Sequence, residues 1–305
     1  MSYQEPVLIY DRIAANRRKT FLLMAIFFVV VAGAATALGI IAGLPPGLAP
    51  IVILFVVLFA AFSYFGSDSV ALAVAGAKPV SLEQEPQLFR QVENLCIGAG
   101  LPLPKVYVIE DGSMNAFATG RDPDHASVAV TRGLMEKLDR QEMEGVLAHE
   151  LSHIGNRDTL LMTTVVVLIG VLALLADIAL RLTWFGAGSR NSYKDKHSKG
   201  GVLILVVALV AIILAPIASR LIAMAISRQR EYLADASGAL LTRYPEGLAS
   251  ALEKISGDKD PLDAATKATE HLYFVNPLSA HASALNNLFS THPPIEERIK
   301  LLRAM

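Results

Sequence analysis

Residues 149–153 read HELSH, with two histidines four residues apart and a glutamate directly after the first. On a helix, positions i and i+4 lie on one face, so His149 and His153 can direct two imidazole nitrogens at one metal ion. Zinc suits such ligands, and its catalytic sites combine three protein ligands with one water. A carboxylate next to that water, here Glu150, can take its proton and pass it to a leaving amine. The motif therefore predicts peptide-bond hydrolysis with one Zn²⁺ per chain.

The motif supplies two ligands, and a third must come from elsewhere in the chain. A third histidine six residues after His153 is absent, because that position is Thr159. The stretch EYLADASG places Glu231 and Asp235 four residues apart, on one face of a predicted helix. We expect Glu231 to bind the ion. We expect Asp235 to accept a hydrogen bond from a ligand histidine and so to fix the tautomer of that ring.

The composition indicates a membrane protein. Hydrophobic residues make up 53% of the 305 residues, charged residues make up 18%, and the mean hydropathy is +0.46. A bilayer crossing needs roughly 20 mainly apolar residues. Four segments meet that length, at about 20–43, 47–66, 159–180 and 200–220. The net charge of −1 gives no electrostatic basis for binding nucleic acid, and the one cysteine, Cys96, excludes an internal disulfide.

Basic residues at the span ends predict the orientation in the membrane. Four of them precede the first span, whereas the turn LPPGLAP after it holds none, which places the N-terminus in the cytoplasm. Four crossings then put residues 67–158 and the C-terminal section on the cytoplasmic side as well. The loop 186–199 is also basic, yet in this topology it lies outside, against the rule.

Two polar sections alternate with the membrane segments. We divide the chain into 1–77, with the first two spans, the polar section 78–158, the membrane hairpin 159–226, and the polar section 227–305. The hairpin can return the EYLAD helix to the HELSH helix at one membrane face, so the distance between them along the chain is no obstacle.

Apolar spacing also predicts the elements of the polar sections. It favours helices in EPQLFRQVENLCIGAGL and LDRQEMEGVLAHELSHIGNRD, with strands in KVYVIED, SMNAFATG and ASVAVTRG between them. Asp139 and Glu142 form a capping-box pattern at the start of the second helix. The C-terminal section is mostly helical in pattern. We therefore predict a mainly α membrane protein with four transmembrane helices and an α+β catalytic domain that contains a small β-sheet.

HELSH followed by NRD and a membrane hairpin, then EYLADASGA and THPPIEERI, resembles the M48 metallopeptidases, and within them a four-span bacterial branch of heat-shock proteases. The resemblance covers nearly the whole chain. It implies a zincin-like catalytic domain on the cytoplasmic side of the bacterial inner membrane. It also implies zinc ligation by His149, His153 and Glu231, with Glu150 as the general base. The substrates it implies are misfolded or damaged membrane proteins.

Two further sites rest on weaker patterns. NAFATG matches a family stretch near the cleft, and we hypothesise that Asn115, Ala116 and Phe117 form a strand that pairs with an extended substrate. An ordinary interior strand is the alternative. His292, held before two prolines, is either a donor to the developing oxyanion or a structural cap of the last helix. Arg298 on the same segment is expected to pair with an acidic side chain.

Two other functions fit parts of the pattern. A CAAX-type prenyl-peptide protease shares the motif set, but that branch has more spans and encloses a large chamber, for which this chain is short. A membrane scaffold or transporter with a vestigial metal site is the other alternative. The presence of both histidines, of a carboxylate as third ligand and of the base disfavours this alternative.

Overall fold

The computed structural model describes residues 49–162, 228–258 and 293–305, together with Phe274 and four isolated positions before residue 30. The chain divides into two compact units. One comprises 1–19, 66–163 and 225–305, and the other comprises 20–65 and 164–224. The first unit thus contains the two polar sections.

The first described helix, α1, is Ala49–Val74 and contains most of the predicted span 47–66. Counting only positions that the structure describes with side chains, no helix is long and apolar enough to cross a membrane. The predicted spans 20–43, 159–180 and 200–220 lie almost entirely outside the described residues. The four-span arrangement therefore stays a prediction.

Four strands form a mixed sheet in the order β1-β2-β4-β3. They are β1 (Lys78–Pro79), β2 (Lys105–Ile109), β3 (Ala116–Gly120) and β4 (Ala126–Thr131). β2 and β4 are parallel, whereas β3 pairs with β4 in antiparallel register. The three strands predicted in KVYVIED, SMNAFATG and ASVAVTRG are confirmed, and the short β1 was not predicted. Within the described sheet, β3 is an edge strand.

Besides the short 3-10 helix Pro123–His125 and the helical residues from 158 on, six α-helices lie in the described part of the first unit, and one of them is central. They are α2 (Pro86–Ala99), α3 (Arg132–Lys137), α4 (Arg140–Gly155), α5 (Arg228–Thr242), α6 (Pro245–Gly257) and α7 (Ile295–Leu302). α4 contacts α2, α5, α6 and the edge strand β3. Its residues Leu147 and Leu151 are buried in one core with Leu248 and Leu252 of α6. The helix with the HELSH motif is thus fixed on several sides.

The start of α4 is fixed by the predicted capping box. The Asp139 carboxylate accepts a hydrogen bond from the Glu142 amide at 2.9 Å, and the Glu142 carboxylate accepts one from the Asp139 amide at 2.8 Å. Glu142 also accepts from Ser250 Oγ at 2.6 Å and Lys254 Nζ at 2.7 Å. One buried carboxylate therefore caps α4 and ties it to α6.

Glu142→Gln is expected to destabilise the protein by about 1–2 kcal/mol at pH 7, because the charge-assisted hydrogen bond from Lys254 is lost and the amide has one acceptor oxygen where the carboxylate has two. Burial raises the pKa of Glu142, but hydrogen bonds from Lys254, Ser250 and the Asp139 amide outweigh it and lower the pKa. Because the pKa of Glu142 is lower in the folded than in the unfolded protein, its ionised carboxylate stabilises the fold at pH values above the unfolded pKa. This contribution disappears as the pH falls through the folded pKa. Unfolding curves of the two proteins should therefore converge below about pH 4.

Glu144→Gln is the matched control, because this residue pairs with the exposed Arg140 on the same helix. It should change the free energy of unfolding little at either pH. A Glu142→Gln protein that is as stable as the wild type at pH 7 contradicts the assignment.

Candidate metal centre

The predicted ligands lie on two helices that pack closely. His149 and His153 are on α4 and Glu231 is on α5, and all three are buried, with 1%, 5% and 4% of their surface exposed. α5 comes near to α4 at Gly238, where an added Cβ would be 3.0 Å from the main-chain nitrogen of His149. The small residue at this crossing lets a carboxylate of one helix reach the imidazoles of the other.

The three side chains converge on one point. His149 Nε2 and His153 Nε2 are 3.2 Å apart. Glu231 Oε2 lies 3.7 Å from His149 Nε2, and Glu231 Oε1 lies 3.7 Å from His153 Nε2. The edges of a tetrahedral zinc site with ordinary ligand distances are roughly 3.4 Å long. The residues form a group that could hold a metal ion, and all three donor atoms lie within 4.8 Å of one another.

The other ring nitrogens of the two histidines face carboxylates. His149 Nδ1 lies 2.9 Å from Asp235 Oδ1. His153 Nδ1 lies 3.2 Å from Asp158 Oδ2. A proton on each Nδ1 leaves both Nε2 lone pairs directed at the same small space as the Glu231 carboxylate. Such convergence of electron pairs is favourable around a cation, so the donor set fits a divalent metal.

Burial and charge move the histidine pKa values in opposite directions. Burial lowers the pKa of His149 to about 4. Burial also lowers the pKa of His153, but the carboxylates of Asp158 and Glu231 outweigh it and raise the value to about 9. Two imidazoles this close do not both carry a positive charge. The neutral form of each ring, with its Nε2 lone pair available, would hold a metal ion.

Glu150 lies beside the cluster and is 2% exposed. Burial raises its pKa to about 7, aided by the charge of Glu231 and opposed by the Ala118 amide, which donates to the carboxylate from β3. A carboxyl group with a pKa near neutrality can both accept and release a proton at neutral pH. The edge strand, the base and the ligand helix therefore meet at one place.

Arg298 of α7 supports the carboxylate behind His149. Its Nε lies 2.8 Å from Asp235 Oδ2 and its Nη2 lies 2.7 Å from Asp235 Oδ1, which makes a bidentate pair. Burial raises the pKa of Asp235, but Arg298 outweighs it and lowers the value to about 2. The guanidinium is fully buried, and its Nη1 lies 3.9 Å from Glu231. The expectation of an acidic partner for Arg298 is confirmed.

Phe274 completes the wall of the cluster and was not predicted. Its ring meets the His149 ring edge-on at 4.9 Å and lies 5.1 Å from the Arg298 guanidinium carbon. Its amide donates to the Ala116 carbonyl of β3 at 2.8 Å. It occurs in a stretch without regular periodicity, so no sequence pattern indicated this position.

The structure places Asn115, Ala116 and Phe117, the predicted substrate-binding residues, on or next to β3. Asn115 accepts the Ala116 amide with its side-chain oxygen at 3.0 Å, and both residues are buried. Phe117 is 1% exposed. His292 lies outside the described residues. Asp158 was also missed as a site residue, although its place directly after HELSHIGNR put an acidic group near His153.

Gly238→Ala is expected to weaken metal binding by about tenfold, because the new methyl group moves α5 away from His149 and with it Glu231. Alanine also stabilises a helix by about 1 kcal/mol relative to glycine, which offsets part of the steric cost. The melting temperature should therefore change little, while the metal affinity falls. Competition with a chelator measures the affinity. Gly155→Ala on α4 is the control, since its Cβ would meet only the Leu101 side chain at 3.7 Å. Equal affinities in the two variants would contradict the close approach.

Two buried histidines, a carboxylate as third ligand and a neighbouring carboxyl group with a near-neutral pKa define a metallohydrolase of the HExxH class. The model of the family described as Peptidase family M48 matches residues 82–305. The chain therefore belongs to peptidase family M48, and it is a metal-dependent protease.

Individual relatives agree over nearly the whole chain. The chain is 45% identical over 301 residues to the "Protease HtpX homolog" of Thermoanaerobacter pseudethanolicus, covering 97% of this chain and 98% of that protein. It is 46% identical over 310 residues to the protein of the same name from Listeria monocytogenes serotype 4a, covering 98% and 100%. The crystal structure of S. mikatae Ste24p aligns with a TM-score of 0.48 and 18% identity, over 92% of this chain and 62% of that one.

Proposed function

We propose that this protein is a zinc endopeptidase in which His149, His153 and Glu231 hold one ion. The observation that carries the proposal is the convergence of three buried donor atoms within 4.8 Å, with both Nδ1 atoms of the histidines directed at carboxylates. Zinc, when bound, supplies a Lewis acid and lowers the pKa of a coordinated water.

The residues of the chain supply the proton transfers and the positioning. Glu150 takes a proton from the attacking water at its carboxylate and returns it to the leaving amine, for which a pKa of about 7 is suitable. The Ala118 amide holds that carboxylate against β3. Asp235 keeps His149 oriented, and Arg298 keeps Asp235 charged. His292 stays a prediction as the donor to the oxyanion.

The substrate in this proposal is an extended polypeptide that adds to the edge of β3 that faces away from β4. The Asn115 carbonyl accepts from Thr131 of β4, so by alternation the main-chain groups of Ala116 and Ala118 point away from β4. Strand addition recognises the main chain and demands little of the side chains, which suits misfolded or damaged proteins. Because the Phe274 amide bonds the Ala116 carbonyl, a substrate strand must displace that bond.

A series of peptides, each N-methylated at one amide, tests strand addition without altering the enzyme. N-methylation removes the hydrogen-bond donor of one peptide amide and adds a methyl group to that edge of the substrate strand. Strand addition predicts a raised KM for alternate positions along the peptide, since successive amides of a strand point in opposite directions. A KM that is raised equally at adjacent positions, or at none, would rule out binding to this edge.

We further propose a multi-pass protein of the bacterial inner membrane, with the catalytic unit in the cytoplasm. The apolar segments 20–43, 47–66, 159–180 and 200–220 support it. The single cysteine makes the test direct. In a Cys96→Ala background, a cysteine at Gly47 or in 186–199 should react with an impermeant thiol reagent in intact cells. A cysteine at the exposed Glu136 should react only after lysis, and the reverse pattern inverts the topology.

Cleavage assays on the purified full chain separate this function from the alternatives. A zinc endopeptidase should digest casein, lose activity on chelation and regain it with zinc. A prenyl-peptide protease should cleave only prenylated C-terminal peptides, and a scaffold with a vestigial site should bind zinc without cleaving either. Capture of membrane proteins by a Glu150→Gln variant in its native membrane then tests the quality-control role. Capture of no protein beyond the wild-type background contradicts that role.

A further inference from the structure

The turn after α4 brings a second carboxylate back to the metal cluster. α4 ends at Gly155, and Arg157 adopts a left-handed backbone with φ 57°, which residues other than glycine rarely adopt. The chain is helical again from residue 158. The tight turn places Asp158, 1% exposed, with Oδ2 3.2 Å from His153 Nδ1. An unusual backbone conformation thus serves one side-chain contact at the site.

The contact repeats the arrangement on the other histidine. Asp235 lies against His149 Nδ1 at 2.9 Å, as Asp158 lies against His153 Nδ1 at 3.2 Å. A buried arginine stands behind each carboxylate. Arg298 makes the bidentate pair with Asp235, and Arg230 Nε lies 4.0 Å from Asp158 Oδ1, with 7% of Arg230 exposed.

Arg230 directly precedes the ligand Glu231 on α5. The same helix therefore carries the third ligand, the carboxylate behind His149 and the arginine beside the carboxylate behind His153. Each imidazole thus contacts a carboxylate that lies near an arginine. His149 contacts Asp235, which pairs with Arg298, and His153 contacts Asp158, which lies near Arg230.

We propose that Asp158 is a positioning residue of the metal site. It holds His153 as the tautomer with a proton on Nδ1, so that Nε2 faces the ion, and Arg230 balances the charge of the carboxylate. A ligand imidazole that donates to a carboxylate is a stronger and better oriented ligand. The left-handed turn at Arg157 is the backbone feature that makes the contact possible. The inference rests on the proposed function, because it concerns the same metal site.

Asp158→Asn tests the role with a substitution of nearly equal size. Loss of a hydrogen-bonded partner behind a ligand histidine lowers metal affinity by about 10–100-fold, and we expect that loss of zinc affinity in a chelator competition. Asp258→Asn is the control, because this aspartate binds the Met114 amide and Lys137 Nζ instead of a histidine. Its zinc affinity should equal that of the wild type.

A spectroscopic readout separates positioning from general support of the fold. The visible bands of the Co²⁺-loaded protein report ligand geometry, and they should shift in Asp158→Asn but not in Asp258→Asn. If Asp158→Asn does not fold, Asp158→Glu keeps the charge at a changed reach and should show the same shift with a smaller loss of affinity. Arg157→Gly should keep the wild-type affinity and unfold at an equal or higher temperature, because glycine suits the left-handed backbone.

The outcomes distinguish this inference from the proposed function. A wild-type protein that binds no zinc overturns the proposed function itself. A wild type that binds zinc, with a folded Asp158→Asn variant of affinity within twofold and unshifted Co²⁺ bands, overturns only the positioning role of Asp158.

Discussion

Glu150→Gln is expected to lower the rate of peptide hydrolysis by about 10²–10⁴-fold, the usual contribution of a general base. Glutamine has nearly the same size and keeps an oxygen that can accept the Ala118 amide, so the packing against β3 is retained. It cannot take a proton from water. Zinc content should stay at one ion per chain, because the three donors around the ion are unchanged. Turnover of casein and metal analysis of the same sample measure both quantities.

Two matched substitutions on the neighbouring residues complete this experiment. Glu231→Gln should lose both zinc and activity, because it removes the charged ligand that lies 3.7 Å from both histidines. Glu144→Gln on the exposed side of α4 should lose neither. A Glu150→Gln protein that digests casein at the wild-type rate would end the general-base assignment, and one that has lost its zinc would show that Glu150 supports the ligands instead.

The local parts of the site follow from spacing alone. A helix fixes the relation between positions i and i+4, so the imidazoles of His149 and His153 were predictable once α4 was recognised. The start of α4 was equally accessible, because the capping box of Asp139 and Glu142 is a contact within four residues. Strand β2 followed from alternation, and β3 and β4 followed from two strand-like stretches separated by the turn-rich RDPDH.

Glu231 was predictable for a chemical reason and not a local one. Two histidines leave a catalytic zinc short of one protein ligand, so the chain had to contain a third donor on another element. The EYLAD helix offers a carboxylate with a second carboxylate four residues later, and this arrangement serves both a ligand and a partner for a ligand histidine. The structure places Glu231 and Asp235 at these positions around His149.

The contacts that were not predicted depend on irregular backbone and on tertiary packing. Asp158 contacts His153 directly after a turn in which Arg157 is left-handed, and arginine gives no indication of that conformation. Phe274 meets His149 and the edge of β3 from a stretch that has no helical or strand periodicity. The partner of Arg298 could be expected to be acidic, but the choice of Asp235 required the packing of α7 against α5.

Arg298→Met is expected to destabilise the metal-free protein by about 3–5 kcal/mol, the cost of leaving a buried charge without its partner. Arg298 is fully buried and bonds both oxygens of Asp235. Methionine fills much of the same volume but cannot neutralise a carboxylate. Without the guanidinium, burial raises the pKa of Asp235, whose neutral form no longer holds His149, so zinc affinity should fall as well. Thermal unfolding and chelator competition measure the two effects.

Arg303→Met is the control on the same helix, because Arg303 also bonds two carboxylates but lies at the surface. Its loss should change the stability little. Adding Asp235→Asn to Arg298→Met removes the unpaired charge, so this double variant should recover much of the stability while zinc affinity stays low. If the double variant is as unstable as Arg298→Met, the loss comes from packing around the methionine. Recovery of stability without recovery of affinity would show that the buried ion pair is kept for the metal site, since the fold tolerates its removal.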